Sequence, residues 1–114
     1  MFSGLFSKRA ASGDRSAIEH DALKEALQNG DCVVVDVREP HEYSSGHIPG
    51  AVNHPLSAFD AKALPSGKRV VLVCKSGMRS AKALQQARAG GHQDVCHYPG
   101  GTHGWHSRGE DVEK

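Results

Sequence analysis

Two short runs of β-branched apolar residues constrain this chain more than anything else in it. RVVLV at 69–73 shows no polar alternation, and CVVVDV at 32–37 is interrupted only by Asp36. A strand with one face in water alternates apolar and polar residues; a strand buried on both faces does not. Both runs therefore predict central strands of a mostly parallel sheet covered on its two sides. RVVLV leads directly into the polar stretch Cys74 to Arg79, CKSGMR. Ser80 to Ala89 then has a helical composition, and Gly90-Gly91 stops it. A cysteine thus sits at the C-terminal tip of a buried strand, with a helix starting behind its loop.

The other segments fit this frame. Asp21 to Gln28 reads as a helix: Leu23 and Leu27 share a face, and Asn29-Gly30 end it. Glu39 to Tyr43 has room for one helical turn within a stretch rich in Pro and Gly. Ser16–Ile18, Val52–His54 and Asp94–Tyr98 read as short strands, and Ser57–Lys62 as a short helix. Leu64-Pro65-Ser66-Gly67 is a turn, and Pro99-Gly100-Gly101 opens a polar tail with one tryptophan, Trp105. Short strands alternating with short helices predict an α/β layer. The domain is expected to span residues 16–114, with residues 1–15 as a loosely ordered extension.

Ligands of such sheets bind beyond the carboxyl ends of the strands. Asp36-Val37-Arg38, Cys74 and Pro99-Gly100-Gly101 all follow strands and are expected to converge on one edge. Cys32 opens its strand at the opposite edge, and Cys96 lies inside a strand. Cys74 is therefore the chemical candidate. An unperturbed thiol with a pKa near 8.5 is only about 3% thiolate at pH 7. Helix N-termini carry unpartnered N–H groups and partial positive charge, worth roughly 0.3–2 kcal/mol to an anion. A loop curled into a cup adds inward N–H groups, and Lys75 and Arg79 add two cations. Together these predict a thiolate at neutral pH. A buried structural cysteine is the blander reading, but it needs neither Gly77 nor the flanking cations.

Composition excludes several classes. The 114 residues suffice for one domain that buries roughly two-thirds of its unfolded surface without disulfide or metal. A formal charge of +1, no basic run and few aromatics argue against nucleic acid. No apolar stretch approaches the roughly 18 residues that suggest a membrane span. Three cysteines at unrelated spacings point to a reducing, cytoplasmic setting. Of eight histidines only His103 and His106 form a tight pair, and no cysteine pair accompanies them at zinc-finger spacing, so no metal is expected. Phe2, Leu5 and Phe6, opposite Lys8, Arg9 and Arg15, give the N-terminus a loose likeness to a transit peptide. A terminus that packs its aromatics on the domain is the simpler reading.

Three segments resemble the rhodanese family of single-domain sulfurtransferases. They are Asp36-Val37-Arg38-Glu39-Pro40-x-Glu42-Tyr43-x-x-Gly46-His47-Ile48-Pro49-Gly50-Ala51, then Cys74-x-x-Gly77-x-Arg79-Ser80, then Tyr98-x-Gly100-Gly101-x-x-x-Trp105. The resemblance implies a parallel sheet of about five strands flanked by helices on both faces. It implies that Cys74 accepts a sulfane sulfur, becomes a persulfide and passes the sulfur on. Lys75, Ser76, Gly77, Met78, Arg79 and Ser80 form the implied substrate loop. Asp36 and Arg38 are read as supporting residues that pair with backbone or with each other at the strand end, with direct substrate contact as the alternative. His47 is expected to make an orienting hydrogen bond within its turn, and Trp105 to pack over the sheet edge.

The loop narrows the chemistry further. Cys74 and Arg79 enclose four residues, one fewer than a cysteine phosphatase needs to encircle phosphate. No histidine lies in the loop, although acyl or phosphoryl hydrolysis needs proton donors. Sulfur transfer with sulfite as leaving group needs neither acid nor base. The two cations favour a small dianion such as thiosulfate. The expected activity is thiosulfate sulfurtransfer without a cofactor, to cyanide or a thiol, including that of a thioredoxin-like protein. A persulfide carrier serving a protein partner and a non-catalytic binding module are the alternatives.

Overall fold

The computed structural model describes residues 15–114; the expectations placed on residues 1–14 lie outside them. In chain order the elements are α1 (His20–Asn29), β1 (Cys32–Asp36), α2 (Pro40–Ser44), β2 (Val52–Asn53), β3 (Arg69–Val73), α3 (Met78–Ala89), β4 (Val95–His97) and α4 (Gly101–Ser107). The four strands form one parallel sheet in the order β2-β1-β3-β4. The two unalternated runs are its centre, paired from Cys32↔Arg69 to Asp36↔Val73. Each of the two runs feeds a different face by turns. Val71 and Val73 join Val34, Leu23, Ile48, Tyr98 and Trp105 on one side. Val70, Leu72 and Cys74 join Val35, Ala83, Leu84 and Ala87 on the other. Both faces are therefore buried, which is why neither run alternates.

The expected count of about five strands is high by part of one. Ser16–Ile18 contributes a single parallel bridge, Ala17 to His97, with the Ile18 N–H donating to the His97 carbonyl at 2.9 Å. The chain leaves the sheet there because Glu19 already serves as the N-cap of α1. The helix expected at Ser57–Lys62 is two 3₁₀ turns, Leu56–Ala58 and Ala61–Ala63. Phe59 and Asp60 between them are extended, and the Asp60 carboxylate caps the second turn at the Lys62 N–H, 3.0 Å away.

The largest difference is α4, which composition presented as a polar tail. Of the five positions from its cap to its fourth residue, Gly100, Gly101 and Gly104 are glycine, a poor helix former. Tertiary contacts supply what propensity lacks: the Thr102 N–H donates to the Cys74 carbonyl at 2.8 Å and the His103 N–H to the Lys75 carbonyl at 3.1 Å. The first turn of α4 is thus capped by the loop it supports.

Candidate active site

β3 delivers Cys74 to the carboxyl edge of the sheet, and α3 begins four residues later. The turn between them depends on Gly77, whose φ of +102° lies in the left-handed region. A Cβ there would also meet the Pro99 carbonyl oxygen at 2.9 Å. This conformation aims the loop inward. The Gly77 N–H donates to Cys74 Sγ at 3.1 Å and the Ser80 N–H at 3.3 Å, while Ser80 Oγ lies 3.6 Å away. Cys74 is 1% exposed, so the sulfur forms the floor of the cup.

Burial is the largest single influence on this thiol and pushes its pKa up. The Ser80 hydroxyl and the Ser80, Gly77 and Ser76 N–H groups together outweigh burial, and the pKa falls below the ordinary 9.0. The other two cysteines go the opposite way. Burial raises Cys32, and it raises Cys96 to about 11. Both are buried, at the start of β1 and within β4, and among the described residues no cup of N–H donors surrounds either sulfur.

Lys75, Ser76 and Met78 are exposed on the loop, while Arg79 is half-buried and engaged elsewhere. Its Nη1 and Nη2 donate to Glu42 Oε1 and Oε2 at 2.7 and 3.0 Å. The hydrogen bonds from Arg79 hold the Glu42 carboxyl at about 2. Glu42 also accepts from the Glu39 N–H as part of the capping box of α2, so the pair ties α2 to the loop. Of the two cations expected to charge the cup, Lys75 is exposed and Arg79 is matched by a carboxylate.

Asp36 and Arg38 pair with each other at the end of β1. Arg38 Nη2 donates to Asp36 Oδ2 at 2.7 Å and Nε to Oδ1 at 3.0 Å. Arg38 Nη2 also donates to the Gly46 carbonyl at 2.8 Å, which fixes the 46–51 turn. Both side chains are buried, so loss of either partner strands a charge, at a cost of about 3–5 kcal/mol. His47 sits in that turn, its Nδ1–H donating to the Tyr43 carbonyl at 2.9 Å and its ring stacked on Tyr43. Trp105 packs edge-on to Tyr98 in the core beneath α4.

A cleft of about 560 Å³ beside the loop is lined by Arg38, Glu42, Lys75, His103, His106 and Lys114. Among the described residues, no group of three or more His, Cys, Asp or Glu side chains could hold a metal ion. No helix among them is long and apolar enough to cross a membrane. Two site residues escaped the sequence: Glu42, which neutralises Arg79 from 37 positions away, and His97, whose Nδ1 lies 2.9 Å from Ser80 Oγ. His97 lacked any spacing signal, because the sheet and not the loop brings it there.

A family model described as Rhodanese-like domain matches residues 19–108. The uncharacterized protein slr1261 of Synechocystis is 40% identical over 89 residues, which cover 76% of this chain and 50% of that protein. The thiosulfate:glutathione sulfurtransferase of Saccharomyces cerevisiae is 37% identical over 94 residues, covering 69% of this chain and 68% of that protein. The crystal structure of a rhodanese-related protein from Thermoplasma volcanium superposes with a TM-score of 0.74 at 30% identity, over 85% of this chain and 96% of that one. The chain thus spans half the length of the Synechocystis relative.

Proposed function

The chain belongs to the rhodanese-like domain family, and from that premise we propose that it is a thiosulfate sulfurtransferase working through a persulfide on Cys74. The observation that carries this reading is the environment of the sulfur. Backbone N–H groups of Gly77 and Ser80 converge on Sγ, and the thiol pKa is lowered despite burial. The Cys74 thiolate attacks the outer sulfur of thiosulfate. The S–S bond of the donor breaks, and sulfite leaves with the electron pair. The new terminal sulfur occupies the cup, where the loop N–H groups stabilise its charge. A thiol or cyanide then attacks that terminal sulfur, and Cys74 leaves as the thiolate it was. No step needs a general acid, in keeping with a loop that holds no histidine.

Lys75 supports the choice of a dianionic donor, since its exposed ammonium lines the adjoining cleft. The yeast relative is named for thiosulfate, in line with this donor. Met78 favours a second reading, delivery of the persulfide sulfur to a protein. It is 84% exposed at the start of α3, and a soft apolar side chain beside the loop suits a protein acceptor.

The test is intact mass after incubation with thiosulfate. Wild type is expected to gain one sulfur atom and Cys74→Ser none. Because the thiol pKa lies below 9.0, persulfide formation should reach its plateau at a lower pH than alkylation of a free thiol does, and fall as pH drops through the Cys74 midpoint. Sulfur retained by Cys74→Ser would overturn the assignment.

A further inference from the structure

The Ser80 hydroxyl has three neighbours: Cys74 Sγ at 3.6 Å, the Gly77 carbonyl oxygen at 3.2 Å and His97 Nδ1 at 2.9 Å. A hydroxyl has one hydrogen to give. The carbonyl can only accept, whereas sulfur and imidazole can each donate or accept. His97 is the nearest, so its state decides where that hydrogen points. With Nδ1 bare, His97 takes it, and Cys74 can join the chain only by donating its own S–H to Oγ. With Nδ1 protonated, His97 donates to Oγ, and the hydroxyl is free to donate to a thiolate.

We propose that His97 is a positioning residue for the reacting sulfur, acting through Ser80 in a hydrogen-bond chain that reverses direction when Cys74 loses its proton. In the thiol state the chain runs from Sγ–H to Oγ and from Oγ–H to Nδ1. On ionisation the Sγ–H bond breaks as a new Oγ–H bond forms. The former hydroxyl hydrogen passes to Nδ1, and the imidazole releases the proton on Nε2 to water. Sulfur keeps the bonding pair as a thiolate, Ser80 is regenerated, and His97 ends neutral in its other tautomer. One proton has gone to solvent, by way of a ring that is only half-buried. The sulfur, 1% exposed, is given a route to water that avoids the loop mouth.

The surroundings of His97 suit a relay better than a store of charge. Burial and then Arg88, on α3, disfavour a doubly protonated ring. Its neighbours across the sheet, Leu72 on β3 and Ala17 at the edge, carry no charge. The backbone of His97 is fixed on both sides: its N–H donates to the Ser16 carbonyl and its carbonyl accepts from Ile18. The sheet therefore anchors the residue, and its ring meets the loop only through Ser80.

This inference rests on Cys74 as the reacting sulfur, but its test reads the thiol and not sulfur transfer, so either reading can fail alone. Thiolate absorbance is titrated in wild type, Ser80→Ala, His97→Gln and the double variant, each corrected by its Cys74→Ala counterpart. Each single change is expected to raise the Cys74 midpoint by about one pH unit, a tenfold loss of thiolate below it. The double variant is expected to match Ser80→Ala, because His97 acts only through Ser80. A His97→Gln midpoint equal to wild type, or effects that add in the double variant, would overturn the proposal. Should a variant misfold, nitrogen NMR of the His97 ring in otherwise wild-type protein decides. Nδ1 is expected to gain its proton as Cys74 ionises, and to show no such step in Cys74→Ala. An unchanged tautomer across the thiol midpoint refutes the chain.

Discussion

Glu42 governs how much charge the cup presents. It binds both terminal nitrogens of Arg79, and the Arg79 hydrogen bonds hold its carboxyl at about 2, against an ordinary 4.5. A carboxyl pKa lowered by folding contributes stability above its unfolded value. That contribution is full above pH 4.5 and is lost as pH falls through about 2. The pair therefore stays intact throughout the neutral pH range. Glu42→Gln keeps the shape and removes the opposing charge. Two unit charges about 4 Å apart interact by about 1 kcal/mol even when fully screened by bulk water. The Michaelis constant for thiosulfate is then expected to fall about fivefold with kcat little changed. An unchanged constant would show that Arg79 does not reach the donor. Lys75→Ala is its counterpart and should raise the same constant by a similar factor.

At the scale of elements, the site is a joint between β3, α3 and α4. The loop is held from in front by the N-terminus of α3 and from behind by the first turn of α4, whose Thr102 and His103 N–H groups bond the Cys74 and Lys75 carbonyls. Gly101 is where the two backbones touch. Its φ is +66°, and a Cβ would overlap the Lys75 carbonyl. Gly101→Ala must therefore push α4 away from the loop or strain it. We expect a loss of about 2–4 kcal/mol in urea unfolding together with a raised Cys74 midpoint. A variant as stable as wild type with an unmoved midpoint would mean that α4 is not part of the cup. The glycine pair was visible in the sequence as the opening of a polar tail, yet the helix that starts there was not. Helix propensity is summed along the chain, whereas α4 draws its first hydrogen bonds from residues some 28 positions earlier.

On the scale of the molecule, the family match ends at residue 108, but the packing continues beyond it. Glu113 forms an antiparallel bridge with His47, their N–H and carbonyl groups paired at 2.8 Å in both directions. The Asp111 carbonyl accepts from Trp105 Nε1 at 2.7 Å, and Glu110 accepts from buried His20 at 2.7 Å. The last residues thus link α1, α4 and the 46–51 turn, and Lys114 reaches the rim of the cleft beside the loop. Removal of residues 109–114 costs several hydrogen bonds worth about 1 kcal/mol each, and leaves His20 with one partner. A fall in Tm of roughly 5–15 °C is expected, with persulfide formation retained at temperatures where the shortened chain is folded. Loss of persulfide formation in the folded, shortened protein would tie the tail to the site.

Read without coordinates, the chain already determined its buried strands, the direction of its sheet and the cysteine at its carboxyl edge. Those features are local or periodic: unalternated β-branched runs, a glycine in a short loop, a helix begun just beyond it. The Asp36–Arg38 pair was legible for the same reason, since its partners are two residues apart. Only the tertiary structure decided that Arg79 faces Glu42, that His97 stands behind Ser80, and that the glycine-rich segment after Tyr98 is a helix. Each of these joins residues from different elements. Contacts of that kind depend on how β3, β4, α2 and α3 pack, and no spacing along the chain records them.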